Sequence, residues 1–275
     1  MITDELLYKY KEHLICAEKS FATVEKYMHD AREFCIFQQR KEISKEVVLA
    51  WKQMLLDQGC AVRTINAKIA AVNGLLQFLN LPEFRVKPIR LQKQIYCREE
   101  RQLQKQEYLR LLDAARRNSV LSLIMETICS TGIRVSELQH FTVENIRNGE
   151  IAVSCKGKTR MILIPGKLKR KLIHYAEQQR ILSGIIFRSR KGTPIHRSTI
   201  WRNMKQLCIC AGVTAGKVFP HNLRKLFART FYSLEKDMAK LADLLGHSSI
   251  DTTRIYIMST GLEHKRILER MKLII

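Results

Sequence analysis

The sequence predicts a mainly α-helical chain of two domains with one small β-hairpin: a four-helix N-terminal domain followed by a mixed α/β domain. Three observations predict it. Apolar residues recur at helical spacing through roughly the first eighty positions. An aperiodic, basic, proline-bearing stretch interrupts that pattern after Leu81. Beyond it, one short region alternates as strands do, among further helical segments. With 275 residues, 46% of them hydrophobic, the chain can fill two modest cores.

The first helix opens at Thr3, with Asp4 and Glu5 in its first turn, and presents Leu6, Leu7, Tyr10 and Leu14. A second carries Val24, Tyr27, Met28, Ala31, Phe34 and Phe37; a third starts near Ser44 and stops at Gly59; a fourth runs from about Val62 to Leu79. These make domain 1–83. Residues 84–101, with Arg85, Lys87, Pro88, Arg90 and Lys93, read as a basic linker, and 102–275 as the second domain. There, helical spacing resumes at Leu103, Leu109, Leu111 and Leu112 and again over Val120 to Cys129, ending at Ser130-Thr131-Gly132. Ile151 and Val153, then Ile162 and Ile164, flank Lys156-Gly157-Lys158 and predict a hairpin closed by Pro165. The remainder is helical, broken near Gly184, Gly192, Gly212 to Pro220, and Gly246, and ends in an amphipathic C-terminal helix with Ile267, Leu268, Met271 and Leu273.

Charge points to the partner. Lys and Arg number 48 against 26 Asp and Glu, a formal charge of +22. Such self-repulsion is best relieved by a polyanion, whose condensed counterions are released on binding. From Val153 to Gly192 there are eleven basic residues and one acid, Glu177. No run of about 18 apolar residues offers a membrane span, so nucleic acid is the expected partner and a membrane is not. Eight cysteines are scattered without paired CxxC units, which argues against a zinc module or a disulfide framework. With an acidic helix start in place of a basic leader, a cytoplasmic location is expected.

Phosphoryl transfer at a nucleic-acid backbone needs a nucleophile, cationic donors on the non-bridging oxygens and an acid for the leaving oxygen, or else two metal ions held by clustered carboxylates. No acidic pairing here resembles a two-metal site, and no metal or other cofactor is expected. Four stretches follow the cationic route instead: Thr131-Gly132-Ile133-Arg134-Val135-Ser136-Glu137-Leu138; Lys156 in the hairpin; His221-Asn222-Leu223-Arg224; and Gly246-His247 with Tyr256 nine residues beyond the histidine. In order and spacing they resemble the signature boxes of the tyrosine recombinase (phage integrase) family. The resemblance spans roughly residues 103 to 260, and the four preceding helices suit that family's core-binding (SAM-like) domain, with the tyrosine recombinase catalytic domain following.

The resemblance implies that Tyr256 is the nucleophile, that Arg134 and Arg224 clamp the scissile phosphate, that His221 accepts the tyrosine proton, that His247 donates to the phosphate and that Lys156 protonates the departing 5′ oxygen. Guanidinium suits the clamp, being permanently charged and bidentate. Lys158 competes with Lys156 for the acid role; otherwise Lys158, Arg160 and Lys225 are expected to contact DNA. Glu137, one turn from Arg134, either supports a catalytic side chain or forms an ordinary i,i+3 pair. The implied product is a 3′-phosphotyrosyl enzyme with a free 5′ hydroxyl. Further implications are double-stranded DNA bearing specific recombination sites, strand exchange through a Holliday junction, and a homotetramer on DNA from a monomer or weak oligomer when free. The C-terminal helix would dock on a neighbouring subunit or on its own domain. A helical unit starting almost at Met1 suggests a simple, Xer-like member without an arm-binding domain. The sequence departs from the family's H-D-L-R-H at Asn222 and Lys225. Rival readings are a type IB topoisomerase and a DNA-binding protein that has lost catalysis.

Overall fold

A computed structural model describes residues 2–39, 42–92, 99–155, 158–189, 191–258 and 261–271. The chain divides into two compact units, Met1–Lys93 and Gln94–Ile275.

The first unit consists of α1 (Asp4–Cys16), α2 (Phe21–Gln38), α3 (Lys45–Asp57) and α4 (Val62–Phe78). Hydroxyls start three of them: Thr3, Ser20 and Ser44 accept from the backbone amides of Leu6, Thr23 and Val47, which the first turn leaves without carbonyl partners. The core forms around α4, whose Ile65, Ile69, Val72, Leu75 and Leu76 are buried, with Tyr10, Leu14 and Met28 to one side and Phe34, Trp51 and Leu55 to the other. Trp51 meets Phe34 edge-on, ring centroids 5.2 Å apart, as their quadrupoles favour.

One boundary differs from expectation. Residues 84–89, expected to begin the linker, are part of this unit. Asn73 on α4 receives the Val86 amide at 3.1 Å and donates to the Val86 carbonyl at 2.9 Å; about two turns earlier on the same face, Asn66 does the same with Ile89, at 2.8 and 2.9 Å. Each carboxamide thus pairs with a backbone as a strand would, and Val86 is buried beneath the segment.

The second unit contains α5 (Lys105–Ala114), α6 (Ser119–Thr131), a 3-10 segment (Val135–His140), α7 (Val143–Asn148), strands β1 (Glu150–Cys155) and β2 (Lys158–Leu163), then α8 (Gly166–Gln178), α9 (Arg197–Ala211), α10 (Pro220–Glu235), α11 (Met238–Leu245), α12 (Ile250–Ile257) and α13 (Gly261–Arg270). The mainly helical class and the hairpin are as predicted. Helix α6 is apolar on nearly every side, with Leu121, Ile124, Met125 and Ile128 buried, and forms the centre of the unit. The strands are antiparallel, with Ile151 opposite Ile162 and Val153 opposite Arg160. Ile151, Val153, Ile162 and Ile164 face inward, while Met161 and Leu163 are exposed, so the two-residue period puts Arg160 on the inward side.

Candidate active site

The site lies where the ends of α6 and α11 meet the start of α10, with β2 alongside. Helix α6 ends at Gly132, whose φ of +65° suits the left-handed cap. A Cβ there would strike the Phe227 ring. The chain turns at once into Arg134 and the 3-10 segment, and Glu137 caps that segment by accepting the Arg134 amide at 2.7 Å.

Glu137 is almost fully buried and takes two guanidinium contacts besides that amide: from Arg134 Nη1 at 3.2 Å and from Arg160 Nη2 at 2.6 Å. A third guanidinium, Arg224 on α10, is 1% exposed and donates to the Gly132 carbonyl at 2.6 Å. One carboxylate cannot balance three cations. The end of α11, whose last carbonyls have no amide to receive, offsets only part of the deficit: Leu244 accepts from Arg160, Leu245 from Arg224 at 2.6 Å, and Gly246 from Arg134 at 3.3 Å. These oxygens carry the negative end of the helix dipole. Gly246, at φ +63°, closes α11, and a Cβ on it would collide with the Arg160 side chain.

The imidazoles and the phenol lie next to this cluster. Arg224 Nη2 donates to His247 Nε2 at 3.1 Å, and His247 Nδ1 is 2.9 Å from the Thr253 hydroxyl. Tyr256, half-buried on α12, has the His221 ring centroid at 5.0 Å, the His247 centroid at 4.8 Å and the Arg224 guanidinium at 5.8 Å from its ring. Proton affinities follow from this crowding. Desolvation, helped by the charges of Lys225, Arg224 and Arg134, lowers His221 to about 4, although the residue keeps an edge toward solvent. Desolvation and the charges of Arg224, Arg134 and Arg160 lower His247 to about 4 as well. Burial and the Arg134 charge lower Arg224 to about 10, which leaves it a cation at neutral pH. Two neutral imidazoles beside a phenol can accept a proton, and a concentration of guanidinium charge can hold an anion.

Two further features bear on anion binding. Arg224 Nε is buried with no acceptor among the described residues. A cavity of about 780 Å³ opens beside Arg134, Arg160, Gly246 and His247. The Arg134 side chain, 36% exposed, faces solvent more than Arg160 does at 11%.

Of the residues singled out in the sequence, Arg134, Glu137, Arg160, His221, Arg224, His247 and Tyr256 therefore converge. Lys156 lies outside the described residues. Lys158 pairs with Cys155 at the end of the hairpin, and its side chain is outside the description. Arg160, expected to contact DNA, has its guanidinium held by Glu137 and the Leu244 carbonyl and lies beside the cavity. Lys225, half-buried, follows Arg224 on α10 and contributes charge against His221. The departure at Asn222 has a structural reason, since its Nδ2 donates to the carbonyls of Arg101 (2.9 Å) and Lys217 (2.8 Å), which an aspartate cannot do. Sequence reasoning missed Thr253 and the three carbonyls of α11. Among the described residues, one group, His29, Asp30 and Glu33 on α2, brings potential metal ligands within 4.8 Å of one another. Its carboxylates are already paired, Asp30 with Lys26 at 2.5 Å and Glu33 with Lys68.

Residues 101–262 match the phage integrase family. The chain is 27% identical to tyrosine recombinase XerA of Pyrococcus furiosus over 283 aligned positions, covering 99% of this chain and 96% of that one. It is 30% identical to tyrosine recombinase XerD of Vibrio cholerae over 204, covering 68% of each. In fold it is similar to a lambda integrase from a tetramer bound to a Holliday junction, with a TM-score of 0.74 and 20% identity, over 94% of this chain and 77% of that one. The family match takes in well over half the sequence, including every arginine, both histidines and the tyrosine of the site, and the chain belongs to the phage integrase family of tyrosine recombinases.

Proposed function

We propose that this protein is a site-specific recombinase that cuts and rejoins double-stranded DNA through Tyr256. The Tyr256 oxygen attacks the scissile phosphorus as its proton passes to a neutral imidazole, a role for His221 that its ring, centred 5.0 Å from the Tyr256 ring, supports. The phosphorus–5′-oxygen bond breaks, and the departing oxygen takes a proton from Lys156 or Lys158. Arg134 and Arg224 hold the non-bridging oxygens and absorb the charge that develops there. The 3′-phosphotyrosine retains the phosphodiester energy, so a 5′ hydroxyl from a second site can reverse the step on a new strand. Strand exchange through a Holliday junction follows, with four subunits assembled on two sites.

The observation that carries this reading is the convergence of three guanidiniums on one helix end, two of them sharing one carboxylate, next to a tyrosine whose ring lies about 5 Å from two imidazoles. Leu268 on the last helix and Met271 just after it are exposed and available for docking on a neighbouring subunit. Among the described residues no helix is long and apolar enough to cross a membrane; a cytoplasmic location is part of the proposal. The test is a DNA substrate carrying the protein's native recombination locus with a nick next to each cleavage point, from which the cut fragment diffuses away. Wild type accumulates a covalent protein–DNA complex, and two intact sites recombine. Relaxation of supercoils without exchange between sites would favour a topoisomerase; no covalent complex would leave only DNA binding.

A further inference from the structure

The contacts of His247 determine which of its nitrogens carries the proton. A guanidinium has no lone pair to offer, so in the 3.1 Å contact Arg224 Nη2 is the donor and His247 Nε2 the acceptor. In a neutral imidazole the hydrogen is then on Nδ1, and at 2.9 Å its acceptor is the hydroxyl of Thr253. Thr253 is fully buried, three residues before Tyr256 on the same helix. The other groups facing His247 are the Arg134, Arg160 and Arg224 guanidiniums, His221 and the Tyr256 ring. None of the guanidiniums can accept a hydrogen bond from Nδ1.

We propose that Thr253 is a positioning residue that holds His247 in its Nδ1–H tautomer, making the free-site histidine an acceptor that aligns Arg224. The sequence-based expectation casts His247 as a donor to phosphate. In the free site its Nε2 has no hydrogen to give; it orients the most deeply buried guanidinium until an anion takes over that contact. Because the acceptor is on the helix that carries the nucleophile, one docking event seats Tyr256 and sets the histidine. Displacing α12 removes both. The low proton affinity of His247, lowered by burial and by Arg224, agrees with a neutral ring at physiological pH.

The inference rests on assigning His247 to the phosphate site, but its test needs no DNA, so the two can fail separately. In the full-length protein labelled with ¹⁵N at histidine, the His247 resonances are identified by their loss in His247→Gln. Wild type should show a protonated Nδ1 and an unprotonated Nε2. Thr253→Val, close in shape, should lose that preference and speed exchange of the Nδ1 proton about tenfold, the worth of one hydrogen bond; Thr253→Ser should restore both. An Nε2–H tautomer in wild type overturns the proposal even if the valine variant does not fold. So does a folded Thr253→Val protein with unchanged tautomer and exchange, or a serine variant that fails to restore them.

Discussion

Two charge clusters in this chain differ in a telling way. On α2 and α4 of the first unit, Asp30 and Glu33 meet Lys26 and Lys68, two acids against two cations. In the second unit, Arg134 and Arg160 pair with Glu137, Arg224 pairs with no acid, and all three are otherwise held by neutral groups, mainly carbonyls. The first cluster is balanced and stabilises packing between helices. The second leaves positive charge uncompensated, which costs free energy in the free protein and is recovered when an anion binds. Local imbalance, more than the number of charges, distinguishes a binding site from a structural ion pair.

The comparison is put at greatest risk by Arg224→Ala. It removes the buried donor and strands the Gly132 and Leu245 carbonyls; covalent complex formation should fall on the order of 10³-fold, since a single preorganised donor to a transition-state oxygen contributes about 10²- to 10³-fold by itself. Arg224→Lys keeps the charge without the planar fork, and a rate close to wild type would show that charge alone suffices. Glu137→Gln should have the next largest effect. With its one acid gone the trio repels itself, so the free protein should lose thermal stability, and added inorganic phosphate should raise the melting temperature more for the variant than for wild type. An equal phosphate response would mean that Glu137 does not compensate these cations.

Much of the second cluster is readable from sequence, for reasons that can be named. Arg134, His221, Arg224, His247 and Tyr256 fall in local motifs whose spacing survives folding. Arg160 was legible as a residue expected to contact DNA, but its pairing with Glu137 and the end of α11 was not. A lysine and arginine run around a turn does not say which member turns inward, yet Arg160 shares strand parity with Ile162 and Ile164, which face the core. That parity was the available signal. The carbonyls of Leu244, Leu245 and Gly246 have no side-chain signature, and the role of Thr253 depends on α12 folding back against His247. The linker boundary failed for a similar reason: Asn66 and Asn73 capture chain 23 and 13 residues away, a pairing that no local pattern announces.

pH should have a smaller effect, with a definite sign. His221 and His247 titrate near 4 when folded, below the ordinary 6.5 of an unfolded histidine. Between those values the unfolded chain binds more protons, so stability is full above about pH 6.5 and declines as pH falls toward 4. Thermal melts across that window should show the decline, and it should be shallower for His247→Gln; an unchanged slope would contradict the depressed affinity. Smallest of all is Asp30→Asn in the balanced cluster. Breaking this buried pair should cost stability, by about 1–3 kcal/mol, while covalent complex formation by the folded protein stays within about twofold of wild type, because Asp30 and its partners Lys26 and Lys68 all belong to the first unit. A large loss of cleavage would erase the distinction between the two clusters.

The central claim, that the uncompensated guanidiniums exist to present a DNA phosphate to Tyr256, is tested most directly by isolating the covalent complex, digesting protein and DNA, and locating the nucleotide by mass spectrometry. The account predicts a 3′-phosphonucleotide on Tyr256 and no adduct from Tyr256→Phe. An adduct on any of the other seven tyrosines, or one that persists in Tyr256→Phe, would contradict it.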